Sequence, residues 1–388
     1  MDPQRQRLQE DLRGLVSGEV RCDDVFLQLY ATDAGLYQIR PSAVVRPRST
    51  EDIAAVLRYC NEHVIPVHPR GAGSGLAGES LGTGVVLDCS VHLRRILGIG
   101  ADTVRLQPGV VHERLNASLR RYGRVFGPDP ANSVVTTMGG VLAVDGSGRR
   151  WLKYGSARRH VRSLRIVLAD GTRMEVGREP LVDGRSVAAD ERLRDLVDRL
   201  VRLLHEHRDL IELGRPRSRV NRAGYHLFDA LAPDALNLAG MIVGSEGTLA
   251  VISEMTLGTQ PLPAHRGLVM LMFERLESAV RAAQDVVDFE PVACDLLDRR
   301  HLGLAREVDA RYETLIPAST EAMLLVEVDG DDPTAVRDRL RKIVEQVKLR
   351  KGLAFEARQA LSDENIELFL QLPREVTRLL LRLKGAKR

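Results

Sequence analysis

Residues 65–90, IPVHPRGAGSGLAGESLGTGVVLDCS, place six glycines within fourteen residues between two apolar runs. Within them, GSGLAG at residues 73–78 has the G-x-G-x-x-G spacing of a dinucleotide-binding turn. A Rossmann turn of that kind opens a helix, because the pyrophosphate binds at the helix N-terminus. Here ESLGTG runs directly into the apolar VVLD, which leaves no room for a helix, and no Gly-Lys-Ser/Thr marks a P-loop.

The loop is open to two interpretations. Its successive small residues would let backbone N–H groups converge on an anion, which makes it a candidate phosphate nest. Alternatively, it is a glycine-rich hairpin without a ligand, between strands expected at residues 65–67 and 85–88. A simple hairpin needs only about two to five connecting residues, so the length of this loop favours the nest.

Strands and helices are predicted to alternate around the loop. Residues 43–45 predict a strand, and Ser49 is expected to cap a helix on which apolar residues recur at helical spacing. Further helices are expected in the first forty residues and over 187–213, where leucine and valine mark one face of a charged segment. A hairpin is expected to turn at Asp170-Gly171.

A second unusual stretch follows at residues 126–155, FGPDPANSVVTTMGGVLAVDGSGRRWLKYG. It has little helical or strand periodicity, and loops of that length inside a compact domain are usually functional. Hydroxyl side chains at Ser133, Thr136 and Thr137 lie among several small residues. This composition suits a surface pressed against an extended ligand.

Together with GSEGTLAVISEMTL at residues 244–257, these stretches resemble three motifs, in the same order, of the FAD-binding domain of the vanillyl-alcohol-oxidase/PCMH flavoprotein superfamily. They match best the branch of D-lactate, D-2-hydroxyglutarate and glycolate dehydrogenases. The resemblance implies an α+β fold in which a two-subdomain PCMH-type FAD-binding fold precedes a ferredoxin-like α+β cap domain. It implies a helical segment at 1–38, the FAD-binding domain at 39–263 and the FAD-linked oxidase C-terminal cap domain at 264–388.

The resemblance also implies which residues bind FAD. Amides from Arg70 to Leu76 would hold the pyrophosphate, the second motif would line the flavin and its ribityl chain, and the third would lie by the adenosine and pyrophosphate. No metal is implied. The implied cofactor-binding residues are Pro69, Arg70, Gly71, Ala72, Gly73, Ser74, Gly75, Leu76, Pro128, Asp129, Thr137, Met138, Gly140, Ala143, Gly146, Glu246, Gly247, Val251 and Ile252.

The chain departs from the family pattern at two positions. Ser74 stands where relatives with covalently bound flavin have histidine, so the resemblance implies noncovalent FAD. Asp145 stands in AVDG where the pattern usually has Ala-Thr-Asn-Ala. A carboxylate beside the flavin ring would add negative charge or have its own pKa raised by desolvation, and either effect would alter the flavin potential.

Other candidate residues keep two interpretations each. Arg219, Arg222 and Tyr225 either face the substrate or lie in a surface loop. Trp151 and Tyr154 either flank the flavin or form a packed aromatic pair.

The C-terminal part predicts an unfinished cap domain. Its β-α-β order suggests a ferredoxin-like fold, but Leu379–Arg388 ends as a basic helix with no strand after it. Arg374, in LPREV, lies near the position of an arginine in the related enzymes, which implies that it is the catalytic-site residue that binds the substrate carboxylate through the two parallel donors of its guanidinium. Alternatively, it is an exposed helix arginine. In the related enzymes an H-x-x-G segment that supplies the catalytic base or metal ligands follows, and it is missing here. We therefore expect the chain to be the N-terminal part of an enzyme, to bind FAD, and to be reduced by hydroxy acids slowly or not at all.

Composition excludes several classes of protein. The chain has 388 residues and a formal net charge of +3, and no basic run with interleaved aromatics suggests nucleic-acid binding. Cys22, Cys60, Cys89 and Cys294 lack C-x-x-C spacing, so free thiols in a reducing compartment are expected. No signal peptide or membrane-spanning apolar run is present, which predicts a cytoplasmic protein, attached to the inner membrane at most through a partner.

The function implied by the resemblance is FAD-dependent oxidation of a small D-2-hydroxy acid to the 2-keto acid. Electrons would pass to an iron–sulfur domain or subunit, a quinone or a cytochrome rather than to NAD. Two alternatives remain: a non-catalytic flavin-binding, electron-transfer module of a larger iron–sulfur flavoprotein, and an alcohol or aldonolactone oxidase of the same superfamily.

Overall fold

In the computed structural model, which describes residues 3–218, 220–221 and 223–380, the chain divides into two units. The first contains Met1–Phe126, Asn132–Gly146 and Ser156–Gln260. The second contains Gly127–Ala131, Ser147–Gly155 and Pro261–Arg388. Two short segments from the middle of the chain therefore belong to the same unit as the C-terminal segment.

The described part of the chain combines helices with one partly parallel sheet and several antiparallel sheets, which fits the α+β class. The helices are α1 (Pro3–Leu15), α2 (Asp24–Leu29), α3 (Thr50–Glu62), α4 (His112–Arg120), α5 (Met138–Ala143), α6 (Trp151–Tyr154), α7 (Glu191–Glu206), α8 (Arg208–Leu213), α9 (Leu238–Ile242), α10 (Leu276–Val287), α11 (Arg299–Val308), α12 (Arg311–Leu315), α13 (Pro333–Val344) and α14 (Asp363–Leu380). The strands are β1 (Glu19–Arg21), β2 (Ala43–Arg46), β3 (Val67–Arg70), β4 (Val85–Asp88), β5 (Ile96–Ile99), β6 (Thr103–Leu106), β7 (Arg124–Val125), β8 (Val161–Val167), β9 (Arg173–Val176), β10 (Arg178–Val182), β11 (Arg185–Ser186), β12 (Leu231–Ala232), β13 (Ala235–Asn237), β14 (Val251–Gly258), β15 (Gln260–Pro261), β16 (His265–Phe273), β17 (Ala293–Asp298), β18 (Ala322–Gly330) and β19 (Glu356–Ala360).

The N-terminal sheet has the strand order β1-β2-β4-β3, in which β2, β4 and β3 are parallel. The predicted cap of α3 is confirmed, because the Ser49 side chain accepts a hydrogen bond from the Asp52 amide. The strand predicted at residues 65–67 lies instead at Val67–Arg70, so its predicted bounds are wrong. The Ile65 amide donates to the Cys60 carbonyl at the end of α3, and Pro66 has no amide proton, so pairing with β4 begins at Val67.

A five-stranded antiparallel sheet, in the order β5-β6-β14-β8-β9, forms the larger part of the first unit. The predicted hairpin is confirmed, since β8 pairs with β9 and the Leu168 amide donates to the Thr172 carbonyl across Asp170-Gly171. The predicted helix over 187–213 is interrupted at His207, which ends α7 and precedes α8. Strand β1 was not predicted, because three residues are too few to show a period of two.

The stretch 126–155 is more regular than its composition predicts. It contains α5 and α6, and Thr137 caps α5 by accepting a hydrogen bond from the Gly140 amide at 3.4 Å. Two glycines weaken the helical propensity of α5, but Met138, Val141 and Leu142 are buried, and this tertiary packing outweighs propensity.

The expectation of an unfinished sheet in the second unit is wrong. Strands β17, β18, β16 and β19 pair in that order, all antiparallel, which is the strand arrangement of two interleaved β-α-β halves. The missing strands were overlooked because β17 and β19 carry charged residues. Helices α10 and α13 pack on one face, and α11, α12 and α14 contribute to a separate core that includes Met270 and Leu325.

The cysteines are all free thiols, and Cys22, Cys60 and Cys89 are buried. Among the described residues, no helix is long and apolar enough to cross a bilayer. Within the same residues, no group of three or more His, Cys, Asp or Glu side chains could hold a metal ion.

Candidate functional site

The glycine loop joins two parallel strands. Residues 71–84 connect β3 to β4, and Val67 to Arg70 pair in parallel register with Val85 to Asp88. Parallel neighbours cannot be linked by a hairpin, so the glycine-rich hairpin is excluded. What remains of the two interpretations is a loop free to present its backbone to a ligand.

Two loop glycines are needed for steric reasons. A Cβ added to Gly71 would collide with Thr137 Oγ1, so the absence of a side chain lets the first motif lie directly against the second. Gly73 has φ +65°, in the left-handed region that glycine adopts without strain. The loop is therefore shaped by glycine where it meets the second motif and where it turns.

The segment from Tyr30 to Gly35 supports the loop from the N-terminal side. The Arg70 guanidinium donates from Nη1 to the Tyr30 carbonyl at 3.2 Å and from Nη2 to the Thr32 carbonyl at 2.8 Å. The Ala34 amide donates to the Gly73 carbonyl at 3.0 Å. This support was not predicted, because residues 30–35 were assigned to a helical segment. The small residues Ala34 and Gly35 were the available signal, since they allow close backbone approach.

The carboxylate of Glu79 lies against the amide of Ala77 in the loop. The Glu79 Oε2 accepts a hydrogen bond from the Ala77 amide at 3.1 Å. The Glu79 Oε1 lies so close to Gly75 that a Cβ there would collide with it. The Ala77 amide of the loop is therefore available to an acceptor, and several such amides in succession would suit the phosphates of FAD.

The third motif contacts both of the others in the first unit. The Glu246 amide donates to the Ala143 carbonyl at 3.0 Å, directly after the second motif's helix. A Cβ on Gly247 would lie 3.0 Å from Pro69 Cγ, and Gly247 has φ +79°. Val251 and Ile252 follow in β14, paired with β8. Segments of all three motifs thus meet in one place, with glycine where the first motif approaches Thr137 and Gly247 approaches Pro69.

The remaining predicted cofactor residues are divided between the units. Met138 is buried in α5, Gly140 lies in the same helix and Gly146 follows it, all in the first unit. Pro128 and Asp129 belong to the second unit, where the Asp129 amide donates to the Ser147 carbonyl at 3.1 Å.

Asp145 is buried in an ion pair. Its Oδ1 accepts a hydrogen bond from the Arg158 amide at 2.9 Å, and its Oδ2 lies 3.4 Å from Arg158 Nη2. The same Nη2 donates to the Val243 carbonyl at 2.6 Å, just before the third motif. The negative charge of Asp145 is therefore paired with the Arg158 guanidinium. The pair also ties the end of the second motif to the beginning of the third.

The candidate substrate residues are only partly described. Tyr225 is about half exposed, and its hydroxyl shares a 2.9 Å hydrogen bond with Thr248 Oγ1 in the third motif. Arg219 and Arg222 lie outside the described residues. Arg374 lies in α14, and its side chain is likewise outside the described part of the chain. Trp151 is exposed on one side, whereas Tyr154 is buried against Gly127.

Sequence reasoning missed a charged cluster in the second unit. Glu327, in β18, is only 1% exposed, and its carboxylate pairs with Arg149, Arg150 and Arg266. Arg149 also donates to Asp295 at 2.9 Å. The signal was a glutamate inside the apolar strand AMLLVEV, where an ionised side chain needs a partner.

Burial raises the pKa of the Glu327 carboxyl, but the guanidinium groups of Arg150, Arg149 and Arg266 outweigh burial and hold that pKa at about 2. At Asp295, in contrast, burial dominates and raises the pKa of the carboxyl despite the Arg149 guanidinium. The Glu327 carboxylate therefore stays ionised, whereas the Asp295 carboxylate is protonated more easily than an ordinary aspartate.

Two protein families match consecutive parts of the chain. The family described as FAD binding domain matches residues 41–177, and the C-terminal domain of FAD linked oxidases matches residues 262–386. A D-2-hydroxyglutarate dehydrogenase of Pantoea ananatis is 34% identical over 316 residues, which cover 78% of this chain and 31% of the relative. Glycolate oxidase subunit GlcD of Bacillus subtilis is 29% identical over 378 residues, which cover 95% of this chain and 68% of the relative.

A solved structure supports the fold. Alkyldihydroxyacetonephosphate synthase superposes with a TM-score of 0.66 over 98% of this chain and 65% of that chain, at 17% sequence identity. At this identity the similarity concerns the fold alone. The chain spans less than a third of the length of the Pantoea relative.

Proposed function

Because the chain belongs to the FAD-linked oxidases, with an FAD binding domain ahead of their C-terminal domain, we propose that it oxidises a small D-2-hydroxy acid to the 2-keto acid. The observation that carries the proposal is the meeting of the three motifs at the glycine loop, where Gly71 lies against Thr137 and Gly247 lies against Pro69. The names of the relatives, a D-2-hydroxyglutarate dehydrogenase and a glycolate oxidase subunit, support the substrate class.

The residues of the loop and its neighbours would hold FAD by backbone contacts. The amides of residues 70–76 would donate to the pyrophosphate, which needs donors but no side chains in that space. Thr137 and Gly247, which pack against Gly71 and Pro69, would keep the three motifs at the spacing that the cofactor requires. When bound, FAD supplies the oxidant that accepts the hydride from the alcohol carbon.

We expect the bound FAD to be noncovalent, because residue 74 is a serine, whose hydroxyl lies 3.3 Å from Thr136 Oγ1. Acid or heat should release the flavin from purified protein as free FAD. The measurement is the absorbance of the supernatant and of the precipitated protein, with chromatography to identify the released compound. Flavin that remains in the washed precipitate would refute noncovalent binding.

For the substrate carboxylate we propose Arg374, at the end of the chain that follows β19. A guanidinium holds a carboxylate through two parallel hydrogen bonds, whereas an ammonium acts as a point charge. We expect Arg374→Lys to weaken binding of a D-2-hydroxy acid by about tenfold or more while FAD affinity changes less than about twofold. The acid is titrated against the FAD-loaded protein and its dissociation constant is read from the flavin spectrum.

Arg337→Lys is the control, because Arg337 is an exposed arginine of α13 in the same unit. Arg337→Lys should change neither the dissociation constant of the D-2-hydroxy acid nor that of FAD. If Arg374→Lys weakens acid and FAD binding equally, Arg374 is a structural residue.

The function is tested by anaerobic reduction of the bound flavin with a panel of D- and L-2-hydroxy acids. We expect D acids to bleach the flavin and their L enantiomers to leave it oxidised; single-turnover bleaching detects even slow reduction. FAD binding without bleaching by any acid supports the electron-transfer module instead. Oxygen consumption with alcohols or aldonolactones supports the oxidase alternative.

We propose that electrons leave to an iron–sulfur domain or subunit, a quinone or a cytochrome. The name of the GlcD relative, a subunit of glycolate oxidase, supports a partner protein. We further propose a cytoplasmic location and the domain boundaries 1–38, 39–263 and 264–388.

A further inference from the structure

The hydroxyl of Tyr30 is fixed by charged groups at the end of an interior strand. It donates to Asp88 Oδ2 at 2.6 Å, and Asp88, the last residue of β4, is only 3% exposed. A phenol–carboxylate bond of this length is charge-assisted and stronger than a hydrogen bond between neutral groups. The Arg46 guanidinium donates to the same hydroxyl from Nη2 at 2.8 Å. Burial and the Asp88 carboxylate raise the pKa of the Tyr30 phenol to about 12, so it remains a donor at neutral pH.

The ring and the carbonyl of Tyr30 both contact Arg70, the last residue of β3. The Arg70 Cζ lies 5.3 Å from the centre of the Tyr30 ring, within the range of a cation–π contact. The same guanidinium donates to the carbonyls of Tyr30 and Thr32. Arg70 therefore cannot change its side-chain conformation without losing all three contacts.

The segment 30–35 also lies against the glycine loop itself. The Ala34 amide donates to the Gly73 carbonyl at 3.0 Å, and a Cβ on Gly35 would collide with the Leu76 carbonyl. The segment belongs to no helix or strand, so its position depends on anchors such as the phenol of its first residue.

We propose that Tyr30 is a positioning residue for the glycine loop: its phenol, held by Asp88, keeps the loop in the shape that binds a pyrophosphate. The inference rests on the proposed function, since it requires that the loop hold FAD. Tyr30 acts through Arg70, which precedes the glycines, and through the segment that meets Gly73. It therefore governs the affinity for the phosphate-bearing part of FAD rather than for the flavin ring.

The test is Tyr30→Phe, which keeps the ring and the backbone carbonyl and removes only the hydroxyl. Protein from which flavin has been removed is titrated with FAD, ADP and riboflavin by calorimetry. FAD and ADP carry a pyrophosphate, and we expect both to bind the variant about tenfold more weakly, because a hydrogen bond to a charged group is lost. Riboflavin, which has no phosphate, should bind wild type and variant equally.

Asp88→Asn weakens the same hydrogen bond from its other end. Because the two side chains act through one bond, the double variant should lose about as much FAD affinity as the more damaging single variant. If Tyr30→Phe does not fold, Asp88→Asn is titrated with the same three ligands and decides by the same comparison.

Tyr59→Phe is the matched control. The Tyr59 hydroxyl donates to Asp11 Oδ2 at 2.7 Å, and this phenol–carboxylate bond joins α3 to α1. Its removal should leave the affinity for FAD unchanged, although it removes the same kind of hydrogen bond.

Three results would overturn the inference while FAD binding stands. Tyr30→Phe could bind FAD as tightly as the wild type, or it could lose affinity for FAD and riboflavin equally, which indicates a general effect on the fold. The effects of Tyr30→Phe and Asp88→Asn could also multiply in the double variant, which means that they do not act through their shared bond. If the wild type itself binds no FAD, the proposed function fails together with the inference.

Discussion

The Gly73→Asp variant is expected to be purified without FAD. The substitution puts a carboxylate and a Cβ into the loop proposed to hold the pyrophosphate. Gly73 has φ +65°, and a Cβ there would collide with the Arg70 guanidinium, which the carbonyls of Tyr30 and Thr32 hold in place. Repulsion between the carboxylate and the phosphates adds about 4 kcal/mol at an effective dielectric constant of about 20. That corresponds to a loss of affinity of several hundredfold or more.

The measurement is the flavin-to-protein ratio after purification, followed by titration of the variant with FAD. Gly98→Asp is the matched control, because Gly98 lies in β5 of the same unit with open space around it. Gly73→Ala separates the two causes, since it introduces the Cβ and the backbone strain without the charge. We expect it to weaken FAD binding by only about 1 kcal/mol. A folded Gly73→Asp protein with full flavin occupancy would mean that this loop is not the phosphate site.

Local patterns predicted the elements whose signals lie within a few residues. The capping serine of α3 and the hairpin at Asp170-Gly171 depend only on neighbours in the sequence. The boundaries of β3 were less certain, because the Ile65 amide is used by the end of a helix rather than by a strand. Local chemistry thus predicts that an element exists better than where it begins.

The parts of the candidate site that were missed depend on contacts between distant residues. The support of the loop by Tyr30 and Thr32 joins residues about forty positions apart, and nothing in either segment alone indicates it. Likewise, the partner of Asp145 could not be predicted from AVDG, because Arg158 lies thirteen residues further along. The spacing of glycines predicted a ligand-binding loop, but only the parallel pairing of β3 and β4 excluded the hairpin.

The charged cluster around Glu327 is the most distant of these contacts, since Arg149 and Glu327 are separated by 178 positions. It connects the segment Ser147–Gly155 to strands β16, β17 and β18 within the second unit. Removing one member of a buried ion pair is costly, because its partners remain buried without compensation. We therefore expect Glu327→Gln to destabilise the second unit strongly.

The size of the effect follows from the pKa of Glu327. A value of about 2 against an ordinary 4.5 corresponds to about 3 kcal/mol of stabilisation of the folded chain. The folded-state pKa lies below the unfolded one, so this contribution is fully present above pH 4.5 and is lost as the pH falls toward 2. Wild type and Glu327→Gln should thus differ most at neutral pH and converge in acid.

Trp151 makes the measurement specific, because it is the only tryptophan of the chain and lies in the second unit beside Arg150. Urea unfolding followed by its fluorescence should show a loss of about 3 kcal/mol for Glu327→Gln at pH 7. The control is Glu321→Gln, just before the same strand, where the partner Arg299 is 77% exposed and the loss should stay below about 1 kcal/mol. Equal losses in the two variants, or a difference between Glu327→Gln and wild type that is undiminished at pH 2, would show that the arginines around Glu327 do not hold the segment through its charge. The expected outcome would instead identify this carboxylate as the anchor of the segment Ser147–Gly155, at the end of the second motif.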